Sequence, residues 1–353
     1  MARAPGRDQQ GDISEFEVKG RPFGGAITLR ESMAVRGCGQ SVMEIALVTA
    51  EEAAMLFSKG YYVMYKSMEQ ILRQGKAAGC PFWEVVLLDD CKERNVTRGE
   101  SFATLAGMYR AMKEADAAYD GGLFSASGLS GGDGQKLEKA VREGRMLCGG
   151  LIGTVMEKAV KMGESNACMK RIVAAPTAGA CGVLPAVFLA LEAERKFPEE
   201  KMVEALYVSV GIGGVIAGRA FIAGASGGCQ AEIGSASAMA AGGAAYLMGG
   251  GGEEIVHAAA MAMKNLLGLA CDPVAGLVEV PCVKRNVIGA VNALTSADMA
   301  MAGIKSKIPP DEVIDAMRSI GTAMPPCVRE TGQGGLAATP TGVQIMQGLS
   351  EKM

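Results

Sequence analysis

Apolar residues recur at helical spacing along most of the chain beyond residue 64. Met64, Met68, Ile71 and Leu72 share one face of a helix. The stretches "SFATLAGMYRAMKEADAAY" (101–119), "QKLEKAVREGRMLCGGLIGTVMEKAVKM" (135–162), "AVFLALEAERKF" (186–197), "EEIVHAAAMAMKNLLGL" (253–269) and "PDEVIDAMRSIGTAM" (310–324) are rich in Ala, Leu, Met, Glu and Lys, the strong helix formers. Alternating runs of β-branched and aromatic residues, the mark of strands, are nearly absent. The pattern predicts a mostly α fold with one helical domain over residues 64–353. Residues 1–63 mix short polar runs ("GRDQQGD", "KGRPFGG") with one helical patch from Ser41 to Lys59, and read as an N-terminal extension outside that core.

Glycine separates the helices. The chain holds 49, gathered in "SGLSGGDG", "PTAGACG", "GASGGC", "MGGGGEE" and "GQGGLAATPTG", and such loops let backbone approach a ligand or another backbone closely. One glycine run imitates a dinucleotide fingerprint: "GIGGVIAG" places Gly211 and Gly213 correctly, and Glu232 stands near the distance of a ribose-binding acid. The third glycine position is Ile216, however, and the Gly/Ala-rich run to Gly228 leaves no room for a second strand, so close helix packing is the expected role and no NAD is expected.

Composition narrows the function classes. With 49% hydrophobic and 21% charged residues the chain is a folded globular protein, and a net charge of -3 supplies no basic footprint for nucleic acid and no polybasic segment for a membrane surface. The most apolar stretch, Ala205 to Gly218, is ended by Arg219 short of the ~20 residues a bilayer span needs. The start, "MARAPGRDQQGD", lacks the apolar run of a secretory signal. A cytoplasmic setting is therefore expected, in which the ten cysteines stay reduced and serve as packing residues, metal ligands or catalysts.

Three cysteines stand out. Cys229 lies in "GASGGCQAEIGSA", and Cys271 and Cys282 bracket "DPVAGLVEVP", so all three fall on glycine-rich or proline-bearing turns. None has C-x-x-C spacing, and a single histidine in the chain excludes the Cys/His mixtures of ordinary zinc sites. Two readings remain open on spacing alone: an iron-sulfur site, or three small buried hydrophobes.

The strings "GGCQAEIGSASAMAA", "LLGLACDPVAGLVEVPCVKRN" and "MPPCVRETGQGGLAATPTG", with "SGLSGGDGQKLE" and "APTAGACGVLP" upstream, closely resemble the α subunit of iron-sulfur-dependent L-serine dehydratase, also called L-serine ammonia-lyase, from about residue 64 to the C-terminus. The resemblance implies that the helical domain is catalytic, with its glycine-rich loops at the active site. It implies that Cys229, Cys271 and Cys282 hold a 4Fe-4S cluster with one iron left open. That iron acts as Lewis acid on the serine hydroxyl, and the products are pyruvate and ammonia, without pyridoxal phosphate. A related lyase acting on another amino acid, such as a cysteine desulfidase, is the near alternative. A cluster-free binding subunit is the rival from another class.

Other candidates come from local chemistry. "SASGLSGGDG" (125–134) precedes a helix and can turn backbone N–H groups toward an anion such as the substrate carboxylate, which makes Ser130, Gly131 and Gly132 candidate binding residues; the alternative is a glycine-rich turn with Asp133 as N-cap. Thr177 in "APTAGACG" either stands beside the substrate or belongs to a tight turn. Lys284 and Arg285 follow Cys282 and either serve the cluster and the carboxylate or form an exposed basic pair. Cys181 is set aside, because the family pattern uses three ligands. The general base has no clear candidate: His257, the only histidine, sits in a helical run. Related enzymes carry a Ser-His-Thr segment on a smaller β part, absent here, so a separate β subunit and a hetero-oligomer are expected.

Overall fold

The computed structural model describes residues 65–351, so the proposed boundary at 64 and the helical patch Ser41 to Lys59 lie outside the described residues. Thirteen α-helices fill that span: α1 (Met68–Ala78), α2 (Phe82–Arg94), α3 (Arg98–Ala117), α4 (Asp133–Arg142), α5 (Gly149–Ala167), α6 (Val183–Arg195), α7 (Glu199–Arg219), the single turn α8 (Gly224–Gly227), α9 (Ser235–Leu247), α10 (Gly252–Asn265), α11 (Cys282–Met301), α12 (Pro310–Ala323) and α13 (Pro340–Ser350). Among the described residues the only β feature is an isolated bridge between Cys271 and Arg329. The mostly α expectation holds.

Helix boundaries follow local chemistry. Ser67 caps α1 by accepting the Gln70 N–H at 3.0 Å, and Gly79 ends it in the left-handed region. Thr97 and Glu100 form a reciprocal capping box at the start of α3. The run 135–162 breaks into α4 and α5 around Gly144 and Gly149, both at positive φ, where a continuing helix is impossible.

Helix α9 is the axis of the fold, with all of its residues buried against α6, α7, α10 and α11. Its sequence, "SASAMAAGGAAYL", is made of small residues because the neighbours press in. A Cβ on Gly242 would stand 2.2 Å from Ile212 of α7, and one on Gly243 would stand 2.4 Å from Phe188 of α6. Met239 and Leu247 supply the larger apolar surface, worth roughly 1.5–3 kcal/mol each. Within it Ser237 donates to Gly289 O at 2.7 Å, and its Met239 carbonyl accepts from Ser209 of α7 at 2.9 Å. Helix α7, though long and apolar enough to cross a membrane, packs here as a core helix. In its "GIGGVIAG" string Gly211 is a packing position, as expected, since a Cβ there would meet Val86 at 2.5 Å, whereas a Cβ on Gly214 would meet open space.

Candidate functional site at the starts of two helices

The three cysteines lie where α9 and α11 begin. Cys229 ends the turn after α8 and leads through a π-helical turn, Gln230–Gly234, directly into α9. Cys282 is the first residue of α11, and Cys271 lies on the segment that joins α10 to α11. Two helix N-termini therefore present partial positive charge near Cys229 and Cys282, the polarity that favours thiolates.

Buried side chains hold these segments in register. Gln230 donates to Gly227 O and Met317 O at 2.9 and 3.2 Å and accepts from Gly268 N–H at 2.9 Å, which ties the Cys229 turn to the approach to Cys271. Arg285 donates to Ala270 O at 2.7 Å and pairs with Asp272 at 2.8 Å, which ties α11 to the same approach. Cys271 itself is clamped by the segment after α12: its N–H donates to Val328 O at 2.8 Å, and its carbonyl accepts from Glu330 N–H at 2.7 Å. Asn286 accepts from Gly182 N–H at 2.8 Å and donates to Gly179 O and Cys282 O at 2.9 and 3.0 Å, so the 177–182 loop is fixed to the first turn of α11. Asn286→Ala would leave these buried backbone groups unpaired, and we expect it to cost about 2–4 kcal/mol in urea unfolding of the chain.

All three cysteines are buried thiols. Cys271 is hydrogen-bonded with Cys229, and this contact together with burial pushes its ionisation well above the usual thiol range. Burial raises Cys282, with the charges of Cys229 and Glu232 adding to the effect. Two carboxylates join them. Burial, and then the charge of Glu330, lifts Glu232 to about 7, while a 2.8 Å hydrogen bond from Thr177 Oγ1 partly offsets this. Burial also raises Glu330, against an N–H donated by Ala225, and Glu330 Oε2 has no partner. Gly224 marks the meeting point: a Cβ there would stand 2.8 Å from both Cys271 Sγ and Glu232 Oε2, and 3.2 Å from Glu330 Oε2. Among the cations, Arg285 reaches in. Burial opposes its charge, but Cys229 and Asp272 outweigh that and hold its ionisation raised.

The remaining sequence candidates separate. Thr177 belongs to the site through Glu232, and Arg285 through Cys229 and Asp272. Lys284 does not: its side chain is 56% exposed and its ammonium pairs with Asp133 at 2.6 Å. The backbone anion site expected at the start of α4 is filled from within, because the N–H groups of Asp133 and Gly134 donate to Glu164 at 2.9 and 3.1 Å. Gly132, at positive φ, occupies the cap position that Asp133 was offered, and Asp133 is the first helical residue. Ser130, Gly131 and Gly132 thus present side chain and shape rather than a vacant helix end. Cys181 is buried, its Sγ donating to Met162 O at 3.6 Å. His257 lies on α10 and faces Glu253 of its own helix at 3.5 Å. Glu232, Glu330 and Asp272 were missed by sequence reading. Their one signal is position, since each lies within three residues of a cysteine or inside one of the cysteine-bearing strings.

The family model of the serine dehydratase alpha chain matches residues 40–337. This chain belongs to that family. A Bacillus subtilis protein named "Probable L-serine dehydratase, alpha chain" is 45% identical over 282 residues, which span 80% of this chain and 94% of the relative. Another of that name, from Latilactobacillus sakei, is 56% identical over 190 residues, 54% of this chain and 91% of the relative. A Helicobacter pylori protein named "L-serine dehydratase" is 36% identical over 258 residues, 69% of this chain but only 56% of that protein.

Proposed function

We propose that this chain is the catalytic α subunit of an L-serine ammonia-lyase and that Cys229, Cys271 and Cys282 hold a 4Fe-4S cluster. The observation that carries the reading is the charge balance of the site. The thiols of Cys229, Cys271 and Cys282 are buried, Cys271 meets the half-buried Glu232 and Glu330 carboxylates at Gly224, and Arg285 is the cation that reaches Cys229. Apolar surroundings alone penalise that much negative charge, and a metal centre reverses the penalty by binding the thiols as thiolates. Iron-sulfur clusters are held by Cys thiolates, and here Cys229 and Cys271 are in contact, with Cys282 close enough to feel the charge of Cys229. The donor set therefore fits.

When bound, such a cluster supplies Lewis acidity for departure of the substrate hydroxyl, a poor leaving group unaided. The chain's own residues do the rest. Gln230, Arg285, Asn286 and the 328–330 segment hold the three thiols in fixed relation, so little reorganisation is needed during reaction. The half-buried Glu232 and Glu330 carboxylates offer acceptors for the substrate ammonium, and Arg285 offers positive charge for its carboxylate. Loss of the Cα proton and the Cβ hydroxyl removes one water and gives aminoacrylate, which tautomerises to the imine; water then hydrolyses the imine to pyruvate and ammonia. The named α chains and the longer Helicobacter pylori relative support a β partner that completes the site. Anaerobic assay of pyruvate from L-serine and L-cysteine, with the β subunit present, tests the substrate. Turnover of serine in preference to cysteine is expected, and the reverse preference would make the chain a desulfidase.

A further inference from the structure

Glu279 lies three residues before Cys282 and is 6% exposed, yet its carboxylate serves a loop far away in sequence. Ser125 Oγ donates to Glu279 Oε2 at 2.6 Å, and Ser127 Oγ lies 2.9 and 2.8 Å from Oε1 and Oε2. The same two hydroxyls accept from the loop's own amides: Ser130 N–H reaches Ser125 Oγ at 3.2 Å, and Leu129 N–H reaches Ser127 Oγ at 3.0 Å. Ser125 N–H closes the turn on Ser130 O at 2.8 Å. A second tether, Asp133 to Lys284, joins the end of this loop to α11 two residues past Cys282. The 125–133 segment is thus docked across the entry to α11 at two points.

Within this arrangement one hydroxyl is spare. Ser130 is 3% exposed and its Oγ has no hydrogen-bond partner, while the Ser125 and Ser127 hydroxyls are both committed to Glu279. A buried hydroxyl without a partner is a net cost, of the kind that proteins retain at functional sites. Gly131 and Gly132 follow at positive φ, and a Cβ on Gly131 would stand 2.3 Å from Leu123 O, so the backbone beside Ser130 turns as only glycine permits.

We infer that Glu279 is a positioning residue: it docks the 125–130 loop on the turn that leads into Cys282, and so sets the spare Ser130 hydroxyl to donate to the carboxylate of the amino-acid substrate. Turning of the loop about Gly131 and Gly132 brings the hydroxyl out as substrate enters. The inference rests on the ammonia-lyase reading above, but its test is separable from it.

The test uses the αβ holoenzyme with Ser130→Ala, Glu279→Gln and Glu279→Ala. Ser130→Ala should raise the KM for serine about 10- to 100-fold, as loss of one hydrogen bond to a charged group does, with kcat within about threefold of wild type. Its Tm should be unchanged or higher, because a spare buried hydroxyl is removed. Glu279→Gln keeps one acceptor oxygen and should raise KM less. Glu279→Ala should match Ser130→Ala, and the double variant should be no worse in KM than Ser130→Ala alone, since one residue acts through the other. Hydrogen exchange at the Leu129 and Ser130 amides should quicken in Glu279→Ala while iron content stays at the wild-type level. An unchanged KM in Ser130→Ala, a lowered Tm in that variant, or additive KM effects in the double variant would overturn the inference. Should Glu279→Ala not fold, Ser130→Ala and Glu279→Gln decide alone. Wild-type enzyme inactive on serine sinks the underlying reading; active wild type with an unaffected Ser130→Ala sinks only this inference.

Discussion

Cys229→Ala, Cys271→Ala and Cys282→Ala should each lower serine turnover about a thousand-fold or more and strip the chain of iron, whereas Cys181→Ala should keep both. The magnitude follows from the chemistry: Lewis-acid stabilisation of a departing hydroxide is worth several kcal/mol, and each 1.36 kcal/mol is about tenfold in rate. The fold should survive all four changes, because every one deletes a single buried sulfur and costs on the order of 1 kcal/mol in packing. Cys181 is the internal control. It is as buried as the other three but packs on Met162 of α5 and takes no part in the Cys229–Cys271 contact. Iron and acid-labile sulfide in each purified variant, measured beside the rate, check the assignment. A ligand variant that keeps full iron and rate removes that residue from the set.

The chain purified alone under anaerobic conditions should bind a cluster but turn over serine at about a hundredth of the αβ rate or less, the scale on which acid–base groups act. The reason is that, among the described residues, the two nitrogen bases singled out in the sequence are paired elsewhere. Its one histidine pairs with Glu253 on α10, and Lys284 is committed to Asp133. Titrating the β subunit into the α chain while following pyruvate should show saturation at one equivalent. Full rate from the isolated chain would place the proton chemistry on Glu232 or Glu330.

Helix periodicity and glycine punctuation made the architecture legible, since α1, α3, α6, α10 and α12 each coincide with a run of helix-forming residues. Gly211 of "GIGGVIAG" was also readable as a packing position. The cysteine triad was visible only because of the long strings around it; its spacing alone left two readings. What sequence could not supply were the partners. Thr177 meets Glu232 across 55 positions, and Ser125 meets Glu279 across 154, so each pairing exists only once the helices have packed. The same holds for the start of α4. A glycine loop before a helix offers N–H groups to an anion in either reading, and the sequence could not reveal that Glu164, 31 positions beyond Asp133, would provide that anion from within. Arg285 and Lys284 make the point in miniature: adjacent in sequence, they leave α11 in different directions, one to the thiols and one to an exposed pair with Asp133.

The central claim is that a cluster with one iron open to substrate sits on Cys229, Cys271 and Cys282. Air titration of the anaerobically prepared αβ enzyme tests it most directly, with iron, labile sulfide and pyruvate formation measured at each point. The account predicts about four irons and four sulfides per α chain at the outset. It further predicts that iron and activity fall together, that both are protected by L-serine, and that both return on anaerobic treatment with ferrous iron, sulfide and thiol. Activity that persists after the iron is gone would contradict it.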